Sequence, residues 1–129
     1  LVKRIEGVGV LKRFATKRIP TIDPKYYTEV VAGMRGAVIG GTCRRANLEG
    51  IEVCGKTGTA QNPHGRDHSA FMGFAPMNNP KIAVAVYVEN GGFGAEYGVP
   101  IGSLMIEKYL KGEVKRTEME NQMMNSRIK

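Results

Sequence analysis

Gly55-Lys56-Thr57-Gly58-Thr59-Ala60 follows directly on Ile51-Glu52-Val53-Cys54, a β-branched run in which apolar and polar residues alternate. That period predicts a half-buried strand, here over Ile51–Gln61. In an extended chain alternate side chains share a face, so Thr57 and Thr59 point the same way. Neither glycine has a Cβ, and both therefore admit a ligand or a second backbone close to the strand. One cation, Lys56, and the hydroxyls of Thr57 and Thr59 are groups that hold a carboxylate. The backbone N–H groups of such an edge can meet a developing oxyanion.

Two patterns fit these letters. Gly50-Ile51-Glu52-Val53-Cys54-Gly55-Lys56-Thr57 spells G-x-x-x-x-G-K-T, the phosphate-binding loop, which needs a buried strand before its first glycine and a helix opening at the lysine. Here residues 41–49 are polar and turn-like, Gly58, Pro63 and Gly65 interrupt any following helix, and Ile51 and Val53 prefer a strand. Context argues against a nucleotide site. The other pattern is the K-T-G element of the penicillin-recognising serine transpeptidases and β-lactamases. It extends through Gln61 and is followed, in order, by Phe71-Met72-Gly73-Phe74-Ala75-Pro76 and Val86-Tyr87-Val88-Glu89-Asn90-Gly91-Gly92. From about Tyr27 to Leu110 the chain resembles the C-terminal part of a class B penicillin-binding protein of the penicillin-binding protein 2 type.

The resemblance implies an α/β fold of the α+β type: an antiparallel sheet meander with packing helices, part of the penicillin-binding/β-lactamase-like transpeptidase fold. It implies D,D-transpeptidation of peptidoglycan by serine acyl transfer from D-Ala-D-Ala stem peptides, with β-lactams acylating the same serine. Lys56 and Thr59 would be catalytic: Lys56 through its positive potential, Thr59 through a backbone N–H forming half of the oxyanion hole. Thr57, Gly58, Thr59, Ala60 and Gln61 would bind the donor peptide, laid antiparallel along the strand. No cofactor, metal or nucleic acid is implied. The full-length parent would be membrane-anchored on the periplasmic side of the bacterial inner membrane, in a cell-wall elongation complex. Two rivals stay open: a β-lactamase or β-lactam sensor domain, and a non-catalytic binding module of the same fold.

The chemistry also requires a nucleophilic serine with a lysine one helical turn later and a Ser-x-Asn motif. No Ser-x-Asn triplet occurs, and the single S-x-x-K, Ser126-Arg127-Ile128-Lys129, comes after the K-T-G strand instead of before it. The expectation is a C-terminal fragment that cannot acylate alone, with 1–112 belonging to the transpeptidase domain and 113–129 a polar, disordered tail. Without the rest of the sheet the fragment is expected to self-associate.

Composition is that of an ordinary globular chain: 129 residues, 42% hydrophobic, with no apolar run long enough for a membrane helix. The net charge is +7, and six cations stand against Glu6 alone through Pro20. With Phe14 the only aromatic residue there, this reads as a solvated basic face and not a single-strand platform. Cys43 and Cys54 permit one disulfide, though free thiols are expected. His64 and His68 stand four apart, but Gly65 denies them the helix that zinc ligation at that spacing needs.

Along the chain, residues 1–14 predict a hairpin through Gly7 and Gly9. Asp23-Pro24 predicts a helix start, with Tyr27, Val30, Val31, Met34 and Val38 as a core-packing stripe and Gly40-Gly41 as its stop. Strands are predicted over His68–Ala75 and Lys81–Glu89, the second apolar enough to be interior and covered on both faces. A helix from about Val99 to Leu110 follows a glycine-rich loop.

Overall fold

The computed structural model describes residues 7, 9 and 19–128. The hairpin predicted over 1–14 lies outside the described residues, save Gly7 and Gly9. The Asp23 carboxylate accepts from the Lys25 N–H at 3.0 Å and Pro24 opens a short 3-10 turn, Pro24–Tyr26, which runs into α1 (Tyr27–Ile39). Gly40 stands at its end, as expected.

The apolar stripe of α1 is only partly core. Val38 is fully buried, and Val31 and Met34 are half-buried, but Val30 is 57% exposed and Tyr27 also faces out. The reason is reach. Only the C-terminal end of α1 lies over the core formed with Cys43, Leu48 and Val53, where the Arg35 Nη1 donates to the Val53 carbonyl at 3.1 Å. Among the described residues nothing covers its first two turns.

Three strands form an antiparallel meander in the order β1 (Cys54–Ala60), β2 (His68–Ala75), β3 (Ile82–Val88), with Lys56 opposite Met72 and Phe71 opposite Val86. The connection across Pro76–Pro80 is too short for a parallel crossover, which fixes this direction. Two details depart from the sequence reading. The first strand opens at Cys54, because Ile51 instead pairs with Leu48 across a turn at Gly50, whose φ of +76° only glycine adopts readily. Among the described residues β3 is an outer strand, where an interior one was expected: Ile82, Val84, Val86 and Val88 are half-buried, while Ala83, Ala85 and Tyr87 are exposed. Its continuous apolar run thus has one face covered among the described residues.

The helix α2 (Gly98–Lys111) crosses the covered face of the sheet and ends at Gly112 in the left-handed conformation. At the centre lies Phe71, 2% exposed. A Cβ built on Gly55, Gly73 or Gly102 would come within 2.5–2.6 Å of its ring, so three missing side chains make the room for one aromatic ring. Val53, Val99, Ala75 and Ile106 complete the core around it.

The tail expected to be disordered contains a helix, α3 (Thr117–Asn125). It is attached by polar contacts. Arg116, just ahead of it, pairs with Glu107 at 2.9 Å, and Gln122 accepts from Arg45 at 2.6 Å. Met119 and Met123, four residues apart on one face of this helix, are half-buried beside those polar contacts. No helix among the described residues is long and apolar enough to cross a membrane.

Candidate functional site

The residues singled out from the sequence come together on β1 and just past its end. By alternation and register, Lys56, Gly58 and Ala60 lie on the open face of the sheet and Thr57 and Thr59 on the other, opposite Phe71 and Ser69. Lys56 is exposed, and its ammonium curls back along the strand to donate to the Thr57 carbonyl at 3.0 Å and the Thr57 Oγ1 at 3.2 Å. Gly58 and Thr59 are exposed, Ala60 is half-buried, and Gln61 is exposed beyond the last paired residue.

The two glycines of the hexapeptide do different work. Gly55 is buried and its missing side chain is filled by the Phe71 ring, so it serves packing and not a ligand. At Gly58 a Cβ would meet only the Ala70 Cβ, at 3.4 Å, which leaves the strand open there. That opening is one wall of a groove of about 300 Å³ lined by Lys56, Gly58, Ala70, Met72, Ala85 and Tyr87. A larger hollow of about 740 Å³ lies between α2 and the segment leading to α3, by Met105 and Tyr109. Size alone favours that hollow. Its one cation, Lys108, stands among Glu113 and Glu120, and its lining has no counterpart to the two threonine hydroxyls that β1 carries beside Lys56.

Three supports escaped the sequence reading. The Thr42 hydroxyl lies 2.8 Å from that of Thr57, joining residues fifteen apart that carry no shared motif. Ser69 is fully buried. Its hydroxyl donates to the Phe93 carbonyl at 2.8 Å and accepts from the Gly98 N–H at 3.0 Å, which fixes the loop after β3 to the sheet. Gly94 of that loop lies so close that a Cβ would meet the Gly58 carbonyl at 2.6 Å and the Thr57 Cβ at 2.9 Å. No periodicity marks such contacts, since each joins a loop to a strand through a single atom.

The connection between β1 and β2 is tied down. Arg66 pairs with Glu96 at 2.9 Å, Asn62 donates to Asn90 at 2.9 Å, and the Gly92 N–H donates to the Asp67 carbonyl at 2.7 Å. His68 lies in β2, where its Nδ1 accepts from the Asn90 N–H at 2.9 Å and its ring packs on Tyr87; His64 is in an exposed turn.

Both cysteines are free and buried. Burial pushes the Cys43 thiol up from its ordinary range, against hydrogen bonds from Thr42 and the Thr57 backbone and the charge of Lys56. Ser126 follows the last turn of α3 and donates to the Met123 carbonyl at 2.8 Å. It therefore sits at the end of a helix, where a nucleophile with a lysine one turn later would have to sit at the start.

The sequence matches the penicillin binding protein transpeptidase domain over residues 1–107. It is 32% identical to the peptidoglycan D,D-transpeptidase MrdA of Haemophilus influenzae over 146 aligned positions, covering 94% of this chain and 22% of that one. It is 40% identical over 81 residues to the peptidoglycan D,D-transpeptidase PbpA of Mycobacterium tuberculosis, covering 54% of this chain and 16% of that one. Among solved structures, Pseudomonas aeruginosa PBP2 in complex with WCK 5153 superposes with a TM-score of 0.60 at 40% identity, over 78% of this chain and 24% of that one. Penicillin-binding protein A of M. tuberculosis, as its imipenem acyl-enzyme complex, gives 0.61 at 35% identity, over 69% and 20%. The chain thus spans between 16% and 24% of the length of these relatives. With a match across most of its residues and a sheet and helices that superpose on such domains, this chain belongs to the penicillin-binding protein transpeptidase family.

Proposed function

We propose that these residues are the C-terminal part of a serine-type peptidoglycan D,D-transpeptidase and supply the substrate-binding strand of its site. The observation that carries this reading is the open stretch at Lys56–Thr59, where a cation and two hydroxyls stand on a strand left accessible at Gly58. In the reaction a serine hydroxyl, from outside these residues, attacks the carbonyl carbon of the penultimate D-Ala. The carbonyl oxygen becomes an oxyanion, the serine proton passes to the leaving amine, and terminal D-Ala departs, leaving a serine ester. An amine of a neighbouring stem peptide then attacks the ester and releases the serine. The Thr59 N–H and the N–H of that serine form the oxyanion hole. Thr57 and Thr59 hold the terminal carboxylate through their hydroxyls, and Lys56 adds positive potential. The donor peptide lies along β1 as an added strand, with Gly58, Ala60 and Gln61 against it. A β-lactam enters the same site and leaves the serine acylated. The full-length protein is anchored in the inner membrane, faces the periplasm and works within a cell-wall elongation complex.

Intact mass after incubation with penicillin tests this reading. The full-length protein is expected to gain one adduct and this chain none, because the nucleophile is not among its residues. An adduct on any serine of this chain, Ser126 included, would overturn the division of labour. Rapid loss of the full-length adduct by hydrolysis would favour a β-lactamase.

We also propose that the chain on its own self-associates. The outer edge of β3 has no strand partner among the described residues, and Tyr87, Val30 and Tyr27 are exposed nearby or on α1. Apolar edges and faces of this kind drive pairing between chains. Sedimentation at several concentrations should show mass rising with concentration; a strictly monomeric species at all of them would refute it.

A further inference from the structure

The family match ends at residue 107, yet the chain beyond it is fastened back onto the domain. Arg116 spends three nitrogens on this. Its Nε donates to the Glu107 Oε2 at 2.9 Å, its Nη1 to the Arg45 carbonyl at 2.8 Å, and its Nη2 to the Ser103 hydroxyl at 3.2 Å. Glu107 is 1% exposed on the inner face of α2, so Arg116 is the cation that compensates its buried charge. Arg45 is gripped a second time from α3, its Nη2 donating to the Gln122 Oε1 at 2.6 Å.

Arg45 belongs to a tight unit. The Cys43 N–H donates to the Ala37 carbonyl at 2.9 Å, and the Ala46 N–H to the Cys43 carbonyl at 2.8 Å, closing the 3-10 turn Arg44–Ala46. Cys43 and Ala46 are fully buried and seat the unit in the core. Thr42 is its first residue, and the Thr42 hydroxyl is the partner of the Thr57 hydroxyl at 2.8 Å. A continuous set of contacts therefore runs from Arg116 and Gln122, through Arg45 and Thr42, to the K-T-G strand.

We propose that Arg116 and α3 form a strap that sets the orientation of the Thr57 hydroxyl, which makes Arg116 a positioning residue for acylation. This rests on the transpeptidase reading, in which that hydroxyl holds the substrate carboxylate. Released from the strap, the 42–46 unit shifts and Thr42 loses its hold, so the Thr57 hydroxyl is left with its contact to the Lys56 ammonium at 3.2 Å. The loss falls on carboxylate binding more than on the chemical step, because the oxyanion hole is backbone and stays in place.

Acylation of the full-length protein by a fluorescent penicillin tests this, with Arg116→Ala, Gln122→Ala, Thr42→Val and the double variants of each strap residue with Thr42→Val. Arg116→Ala is expected to lower the second-order acylation constant about fivefold, mainly through weaker binding, and Gln122→Ala about twofold. In the Thr42→Val background both effects should shrink towards none, since the link is already cut. Equal fold-losses with and without Thr42 would show mere structural loosening and overturn the strap. Where Arg116→Ala leaves Glu107 unpaired and does not fold, Gln122→Ala decides, since it strands no buried charge; unchanged acylation by that variant refutes the proposal. Absence of any adduct on the unaltered protein would overturn the transpeptidase reading itself, and the strap's role with it.

Discussion

Lys56→Ala in the full-length protein should lower acylation by penicillin by about two orders of magnitude while leaving the melting temperature nearly unchanged. Lys56 is exposed and its contacts, to the Thr57 carbonyl and hydroxyl, lie on its own strand. Removing it costs the fold little, because no buried group loses its partner. In the site it has a larger part. It is the cation of the K-T-G strand, next to the groove and within hydrogen-bonding distance of the hydroxyl proposed to hold the carboxylate. Preorganised charge facing a developing anion is commonly worth about 10²–10³ in rate. The check is the second-order acylation constant beside a thermal melt. An enzyme loses acylation at constant stability, whereas a binding module of the same fold, with no acylation chemistry, shows no change in any adduct. A rate within about threefold of the unaltered protein would remove Lys56 from the mechanism.

Phe71→Ala should destabilise this chain by about 3–5 kcal/mol, measured by denaturant unfolding. The value belongs at the upper end for a local reason. A cavity costs less when its walls can collapse into it, and here much of the wall is backbone at Gly55, Gly73 and Gly102. Glycine has nothing to move into the void. The same geometry gives a crossed test. Gly102→Ala should be destabilising in the unaltered chain, since its Cβ would lie 2.5 Å from the ring, and should recover stability when Phe71 is already alanine. A Phe71→Ala cost below about 1 kcal/mol, or additive effects in the pair, would show that the ring is not the hub of the core.

Much of this was legible in the letters. The meander follows from short connections and apolar runs, and the strand with Lys56, Thr57 and Thr59 follows from its own alternation and from the family resemblance. What the letters hid has a common physical character. The use of Gly55 for packing and Gly58 for openness depends on which face of the strand each occupies relative to Phe71, and both are the same letter. Thr42 reads as one more polar loop residue until the turn folds it onto Thr57. The run Ile82–Val88 says how apolar a strand is, not whether a neighbour stands beyond it. Arg116 and Gln122 attach α3 by hydrogen bonds and charge, which leave no periodic trace in hydrophobicity.

A ring packed without slack also keeps time. For Phe71 to turn over about its own axis, β1, β2 and α2 must part briefly, because backbone at Gly55, Gly73 and Gly102 closes on the ring where side chains would normally yield. Each half-turn is therefore a record of one breathing event between helix and sheet. The two ring edges are spectroscopically equivalent only if such events are frequent, so the Phe71 resonances gauge how often the platform beneath the K-T-G strand loosens. Rigidity of that strand, and not only its chemistry, is written into the choice of glycine around a single phenylalanine.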